Sequence, residues 1–416
     1  MRTQLDLTLQ LALGVPLMAI KGTAASEVER AYARARELCQ LLGETFQLFP
    51  VLSGLRTVYF VRGESQKARE LAEQCLTLAQ SLQDPGLLLL AHRVLGQTLF
   101  SLGELATAQA NFEQAITLYD PHQHHSLTFL YYGQDPGVFC FSFTALPLWF
   151  LGYPDQALKR SQTALALAQK LSHPHSVAFA LGLAAHLHQL RREGQAAQEQ
   201  AEAGITLATE QGFPQLLALG TFLRGWALAE QGQEEESIAQ MCRGLASYRA
   251  TGAEVLGSYY LSLLADVYGK VGQAEEGLVA LAEAWATVNK NAEHFYEAEM
   301  YRLKGTLTLQ EANQKAKGKR QKSKVETNPQ SLTPNPQGEV EQEAEGYFLK
   351  AIEIARKQQA KSLELRAVVS LSRLWQQQGK QIEAHDMLSE VYNWFTEGFD
   401  TKDLQEAKAL LEELRH

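Results

Sequence analysis

The chain repeats itself every 40 residues, and this period limits its fold more than any other feature. Small residues recur at Ala35, Cys75, Ala115, Ala164, Gly204, Gly244, Ala284 and Ala351, and Val391 closes the series. The steps between them are 40, 40, 49, 40, 40, 40, 67 and 40. A fixed period of this length marks a protein built by stacking one supersecondary unit on the next, each covering its neighbour's apolar face.

Other positions keep the same phase. Seven residues before the reference position stand Val28, Ala68, Ala108, Ala157, Ala197, Ser237, Gly277, Ala344 and Ala384; three before it stand Tyr32, Ala72, Phe112, Ser161, Ala201, Met241, Leu281, Phe348 and Leu388. Offsets of three, four and seven lie on one stripe of an α-helix. Twelve before it come Gly63, Gly103, Gly152, Gly232, Gly272 and Gly379, suited to the left-handed residue that ends a helix. Nineteen before it lie Gly96, Ala145, Ala185, Gly225, Ala265 and Ser372, where a preceding helix would cross. Each repeat is therefore helix A, a glycine turn, then helix B. A sustained coiled-coil seam is excluded, because the glycines would interrupt it. Nine repeats cover about residues 3–396. Residues 401–414, with Leu404, Ala407, Leu410, Leu411 and Leu414 on one face, read as a capping helix.

Leu, Ala, Gln and Glu dominate while Val, Ile and Thr are sparse, which favours an all-α fold. A net charge of −9 argues against general nucleic-acid binding, which needs a basic face. The four cysteines, Cys39, Cys75, Cys140 and Cys242, have no metal spacing and suit a reduced, cytoplasmic setting. Residues 137–154 carry no charge until Asp155, but Pro147 and the repeat register make them a buried helix rather than a membrane span. The apolar run Leu11–Ile20 reads as the first helix of the array rather than a leader peptide.

The period breaks twice. About nine residues are added near 120–137, including His122, His124 and His125; these read as a polar turn rather than a metal site. About 27 are added in the eighth repeat, and the interval 312–340, with Lys315, Lys317, Lys319, Arg320, Lys322, Lys324, Pro334 and Pro336, reads as a disordered basic insertion. No phosphate-binding loop, metalloprotease, nucleophile-elbow or kinase motif is present, so the chain is read as a non-enzyme with no cofactor and no metal. An enzyme with an unrecognised site near 120–141 and a self-associating scaffold stand as alternatives.

Binding surface is what remains. Helix A of a stacked pair lines the inner face, and its Arg and aromatic residues have the composition of interaction hot spots. The candidates are Arg56, Tyr59, Phe60, His92, Arg93, Tyr131, Tyr132, Phe139, Phe141, Arg224, Trp226, Tyr259, Tyr260 and Arg302. The Phe-rich fourth repeat is the preferred pocket, and packing between helices is the competing role for each aromatic.

The pattern Leu95-Gly96, Leu99, Ala108, Phe112, Ala115 and Pro121 resembles the tetratricopeptide repeat, lengthened by about six residues. The segments 151–181, 232–254, 272–288 and VYNWFTEGFDTKDLQEAKALLEEL (391–414) resemble the C-terminal tetratricopeptide region of bacterial signalling ATPases that also carry cyclase or kinase modules. That resemblance implies a sensor binding a protein, a peptide or a small effector and acting on an ATPase or cyclase module, in cis or in trans. No membrane partner is expected, since residues 137–154 read as a buried helix.

Overall fold

A computed structural model describes residues 2–43, 45–131, 133–322 and 336–415 of the chain. The period becomes paired helices. They are α1 (Arg2–Lys21) with α2 (Ser26–Leu42), α3 (Leu48–Val61) with α4 (Ser65–Leu82), and α5 (Pro85–Ser101) with α6 (Leu105–Leu118). Two short turns, α7 (Pro121–His124) and α8 (Leu127–Leu130), occupy the first insertion. Then follow α9 (Pro136–Phe150) with α10 (Pro154–Leu171), α11 (Pro174–Leu190) with α12 (Gly194–Gln211), and α13 (Pro214–Glu230) with α14 (Glu234–Ala250). The remaining pairs are α15 (Gly257–Lys270) with α16 (Ala274–Asn291), α17 (Glu297–Lys322) with α18 (Pro336–Gln358), and α19 (Lys361–Gln377) with α20 (Gln381–Tyr392). The helix α21 (Lys402–Glu413) follows, with Leu404, Ala407, Leu410 and Leu411 buried. No strand occurs among the described residues.

Local chemistry sets the helix ends. The glycines twelve before the reference position all take the left-handed conformation, Gly63 at φ 76° and Gly152 at φ 94° among them. In the fifth repeat Arg192 holds the same conformation at φ 61°, which costs a residue with a Cβ of order 1 kcal/mol. Proline stands at the first turn of α5, α9, α11 and α13, where no amide hydrogen bond is lost. Asp84 and Asp135 cap α5 and α9 by accepting from the Leu87 amide, and from the Gly137 and Val138 amides.

Packing follows the phases. The small position on helix A and the large one on helix B meet where the helices cross: a Cβ on Gly96 would stand 3.0 Å from the Phe112 ring, and one on Gly225 2.9 Å from Met241. The second repeat reverses the sizes, with Arg56 at the small position of helix A and Ala72 on helix B. Volume is thereby shared between the two helices without overpacking.

The described flanks of the second insertion are helical, contrary to the expected disorder over 312–340. Helix α17 runs on to Lys322, supported by a Lys315–Glu311 pair of 2.7 Å one turn apart, and α18 begins at Pro336. The sequence here is rich in Ala, Gln and Lys, all good helix formers, and composition alone did not reveal it. Residues 323–335 lie outside the described residues.

Contacts divide the chain into two compact bodies, Met1–Gly257 with Thr287–Phe295, and Ser258–Ala286 with Tyr296–His416. In the first body the A helices α3, α5, α9, α11 and α13 pack on one another in sequence as well as on their B partners. This body also closes on itself. The Glu254 and Val255 amides donate to the Val61 carbonyl at 2.8 and 3.2 Å, and the His294 amide donates to the Ser101 carbonyl at 2.9 Å. Both separations are 193 residues (254 − 61 and 294 − 101), so a later part of the stack meets an earlier one in the same register twice. Phe295 seals the second contact, fully buried with its ring 4.9 Å from Phe100 and 5.8 Å from Phe150.

Candidate functional site

Burial sorts the fourteen sequence candidates. Arg56, Phe60, Arg93, Phe139 and Trp226 are buried in the first body, and Tyr259 and Tyr260 in the second. The two guanidiniums tie neighbouring A helices together. Arg56 donates to Thr98 Oγ1 at 2.7 Å, Gln97 Oε1 at 2.7 Å and the Val94 carbonyl at 2.8 Å, and its head lies 4.3 Å from the Phe60 ring centre. Arg93 donates to Gln134 Oε1 at 2.9 Å and stacks 3.8 Å from the Phe139 ring centre. Phe139 continues into Phe143 at 4.5 Å and Phe179 at 5.3 Å. The Phe-rich fourth repeat is thus a packed aromatic seam: in α9 Phe141 is the one residue that is not buried.

The nine-residue insertion is held by one carboxylate. Asp135 is fully buried; beyond its cap bonds, Oδ1 accepts from the Tyr119 hydroxyl at 2.9 Å and Oδ2 faces His125 Nδ1 at 3.0 Å. The Asp135 amide donates to Ser176 Oγ at 2.9 Å, anchoring the insertion to α11. Burial, with Asp135 alongside, raises the Tyr119 phenol well above its ordinary value, and burial lowers the His173 imidazole. His124 Nδ1 accepts from the Asp120 amide at 2.9 Å. These residues cap and fasten, and no cluster of three or more metal-ligating side chains occurs among the described residues. Tyr131 packs edge-on against Phe49 at 6.0 Å, and burial lifts its phenol to about 12. Tyr132 lies outside the described residues.

The other candidates keep partial access to solvent. Tyr59 donates to Glu29 Oε1 at 2.9 Å, His92 Nδ1 meets Asn111 Oδ1 at 2.9 Å, and Arg224 donates to Gln240 Oε1 at 2.8 Å. Phe141 lies 5.8 Å below the Arg160 guanidinium, which itself bonds Glu113 at 2.8 Å. Twenty-three residues before the reference position, the period aligns His92, Phe141, Leu181 and Thr221, each half-buried. They form a row crossing four successive A helices, edged by the B-helix side chains Asn111 and Arg160. The row follows from the period, yet its residue types differ at each step, so composition gave no sign of it.

In the second body Tyr259, Tyr260 and Tyr296 form an aromatic group, with ring centres 5.4 Å (Tyr259–Tyr260) and 4.9 Å (Tyr259–Tyr296) apart. Arg302 bonds both oxygens of Glu299 at 2.9 and 2.8 Å. Arg366 lies 3.7 Å from Glu299 and donates to Asp403 at 2.8 Å. This network joins α17, α19 and α21.

Comparison with known proteins agrees with the fold. A tetratricopeptide repeat profile matches residues 47–120. The crystal structure of a Rap protein complexed with Competence and Sporulation Factor is similar over 99% of both chains, with a TM-score of 0.59 and 10% identity. A signal transduction ATPase with a tetratricopeptide repeat sensor from Pyrococcus horikoshii is similar over 95% of this chain and 55% of its own, with a TM-score of 0.40 and 13% identity. An uncharacterised protein of Rhizobium meliloti (strain 1021) is 23% identical over 310 residues; the chain spans 29% of that relative's length. Residues 47–120 match tetratricopeptide repeats, and the described residues as a whole have the fold of a tetratricopeptide-like helical solenoid. No helix of the described residues is long and apolar enough to cross a membrane.

Proposed function

We propose that the chain binds a peptide or a peptide-like segment of a protein partner along the row His92, Phe141, Leu181 and Thr221, with Arg224 at its far end. The observation carrying this reading is the row itself: half-buried side chains on consecutive A helices, one per repeat, edged by amide and guanidinium donors. Stacked helices lie about 10 Å apart, so an extended segment of about three residues spans each step. Aromatic and Arg side chains give such a surface its anchors. The structurally similar Rap protein is itself complexed with Competence and Sporulation Factor, which supports a ligand-binding role for this fold. Resemblance to signalling ATPases makes the bound state the input to an ATPase or cyclase module. The chain acts here as a sensor, cytoplasmic and without chemistry of its own.

A displayed random peptide library selected on the purified chain supplies a labelled probe for anisotropy titration. Phe141→Ala and Arg224→Ala are each expected to weaken the selected peptide at least tenfold, while Glu202→Ala on the outward face of α12 leaves it unchanged. Affinity that survives the first two changes and is lost with the third would overturn the assignment, as would a selection yielding no peptide.

A further inference from the structure

Helix α1 exposes an apolar stripe whose counterparts one period later, on α3, are covered from Leu9 to Ile20. Leu5, Leu9, Leu13 and Ile20 are 61%, 53%, 46% and 78% exposed, and Thr8, Ala12 and Pro16 share their face. Adding one period of 40 to Leu9, Ala12, Leu13, Pro16 and Ile20 gives Phe49, Leu52, Ser53, Arg56 and Phe60. Those residues are 0%, 3%, 0%, 2% and 6% exposed. In α1 it is Gly14 rather than Pro16 that meets the large Tyr32 ring of helix B, so this helix turns the apolar stripe outward. No charge interrupts it from Leu5 to Ile20, since Asp6 turns aside to Arg34 at 3.1 Å. The outward face of α21 is different: Lys402, Gln405, Lys408 and Glu412 make it polar, so it offers nothing for this stripe to stack on.

We infer that a second copy of the chain covers this face, with the two α1 helices packed antiparallel about a two-fold axis. The stripe is self-complementary in the register where facing residue numbers sum to 25. Leu5 then meets Ile20, Leu9 meets Pro16, and Ala12 meets Leu13, each from the opposite copy. The small Ala12 beside the axis permits close approach. Lys21 falls opposite Gln4 and within a turn of Asp6, while Arg2 falls opposite Thr23, so the register brings no like charges face to face. An isologous contact of this kind closes after two copies and leaves no stripe exposed for further growth. Uncovered, a contiguous apolar face would be an aggregation liability.

Sedimentation equilibrium of the full chain over roughly 1 to 100 μM tests the inference. A monomer–dimer equilibrium is expected, with Leu9→Glu and Leu13→Glu each raising its dissociation constant at least a hundredfold. Both variants keep the helical circular dichroism of the parent. In a Cys242→Ser background, which removes the one exposed cysteine among the described residues, Ala12→Cys is expected to give a disulfide-linked dimer on mild oxidation. A monomer at every concentration would overturn the inference and leave the face to a different helical partner. A dimer that survives both Glu substitutions, or one that Ala12→Cys does not trap, would overturn it equally.

Discussion

Closure of the first body on itself rests on Phe295, and replacing that residue with alanine tests it. The ring is fully buried between Phe100 and Phe150, at centroid distances of 4.9 and 5.8 Å. Truncating a buried Phe to Ala costs roughly 3–5 kcal/mol through lost transfer energy and the cavity left behind. Most of that cost falls on the junction, because the ring joins segments nearly 200 residues apart in sequence (295 − 100 = 195). The junction's own reporter is the His294 amide, bonded to the Ser101 carbonyl at 2.9 Å. If opening of this contact becomes easier by about 3–5 kcal/mol, its hydrogen exchange accelerates by about two to three and a half powers of ten, each tenfold step being about 1.4 kcal/mol. Amides inside α11 and α12, which make no part of the junction, are expected to change much less. An acceleration below tenfold at His294 would refute the claim that this ring holds the closure.

Three further outcomes follow from the packing. Gly244 and Gly204 share one phase but meet different neighbours: a Cβ on Gly244 falls 2.7 Å from the Phe222 amide, while one on Gly204 finds Leu181 at 3.6 Å. Gly244→Ala should cost about 1–3 kcal/mol in urea unfolding, and Gly204→Ala should be neutral or stabilising by up to about 1 kcal/mol. His186 is 1% exposed and burial lowers its pKa to about 3, against an ordinary value of 6.5. The unfolded chain thus takes up a proton that the fold refuses, and stability falls as pH drops from 6.5 toward 3; His186→Gln should flatten this slope by about 1.4 kcal/mol per pH unit, read from urea midpoints. Glu299→Gln leaves Arg302 and Arg366 short of a shared carboxylate and should destabilise the second body by roughly 3 kcal/mol, seen as a lower calorimetric transition.

The helix pairs were legible because small residues must recur wherever two helices cross. Ala35, Cys75, Ala115 and Ala164 are all 0–1% exposed, and the glycines from Gly63 to Gly379 adopt the left-handed conformation their spacing predicted. A second left-handed position, at the end of helix B, was not legible. Gly43, Gln83, Ser172, Gly212, Gly252, Ala292 and Gln359 hold it in phase, but only Gly43, Gly212 and Gly252 are glycine, so residue type does not announce it. The candidate surface was read less well for a related reason. Arg and aromatic residues mark binding anchors and helix ties alike, and only burial separates Arg56 or Phe139 from Phe141. The contacts across 193 residues leave no local pattern, since Glu254 and His294 contribute backbone amides rather than side chains.

The central claim, that the chain is a sensor whose A-helix row receives a peptide, is tested most directly by placing a photo-crosslinking phenylalanine analogue at the position of Phe141. With the selected peptide bound, an efficient crosslink is expected there and none from the same analogue at the position of Glu202. A crosslink from the Glu202 position alone, or saturable binding with no crosslink at Phe141, would contradict it.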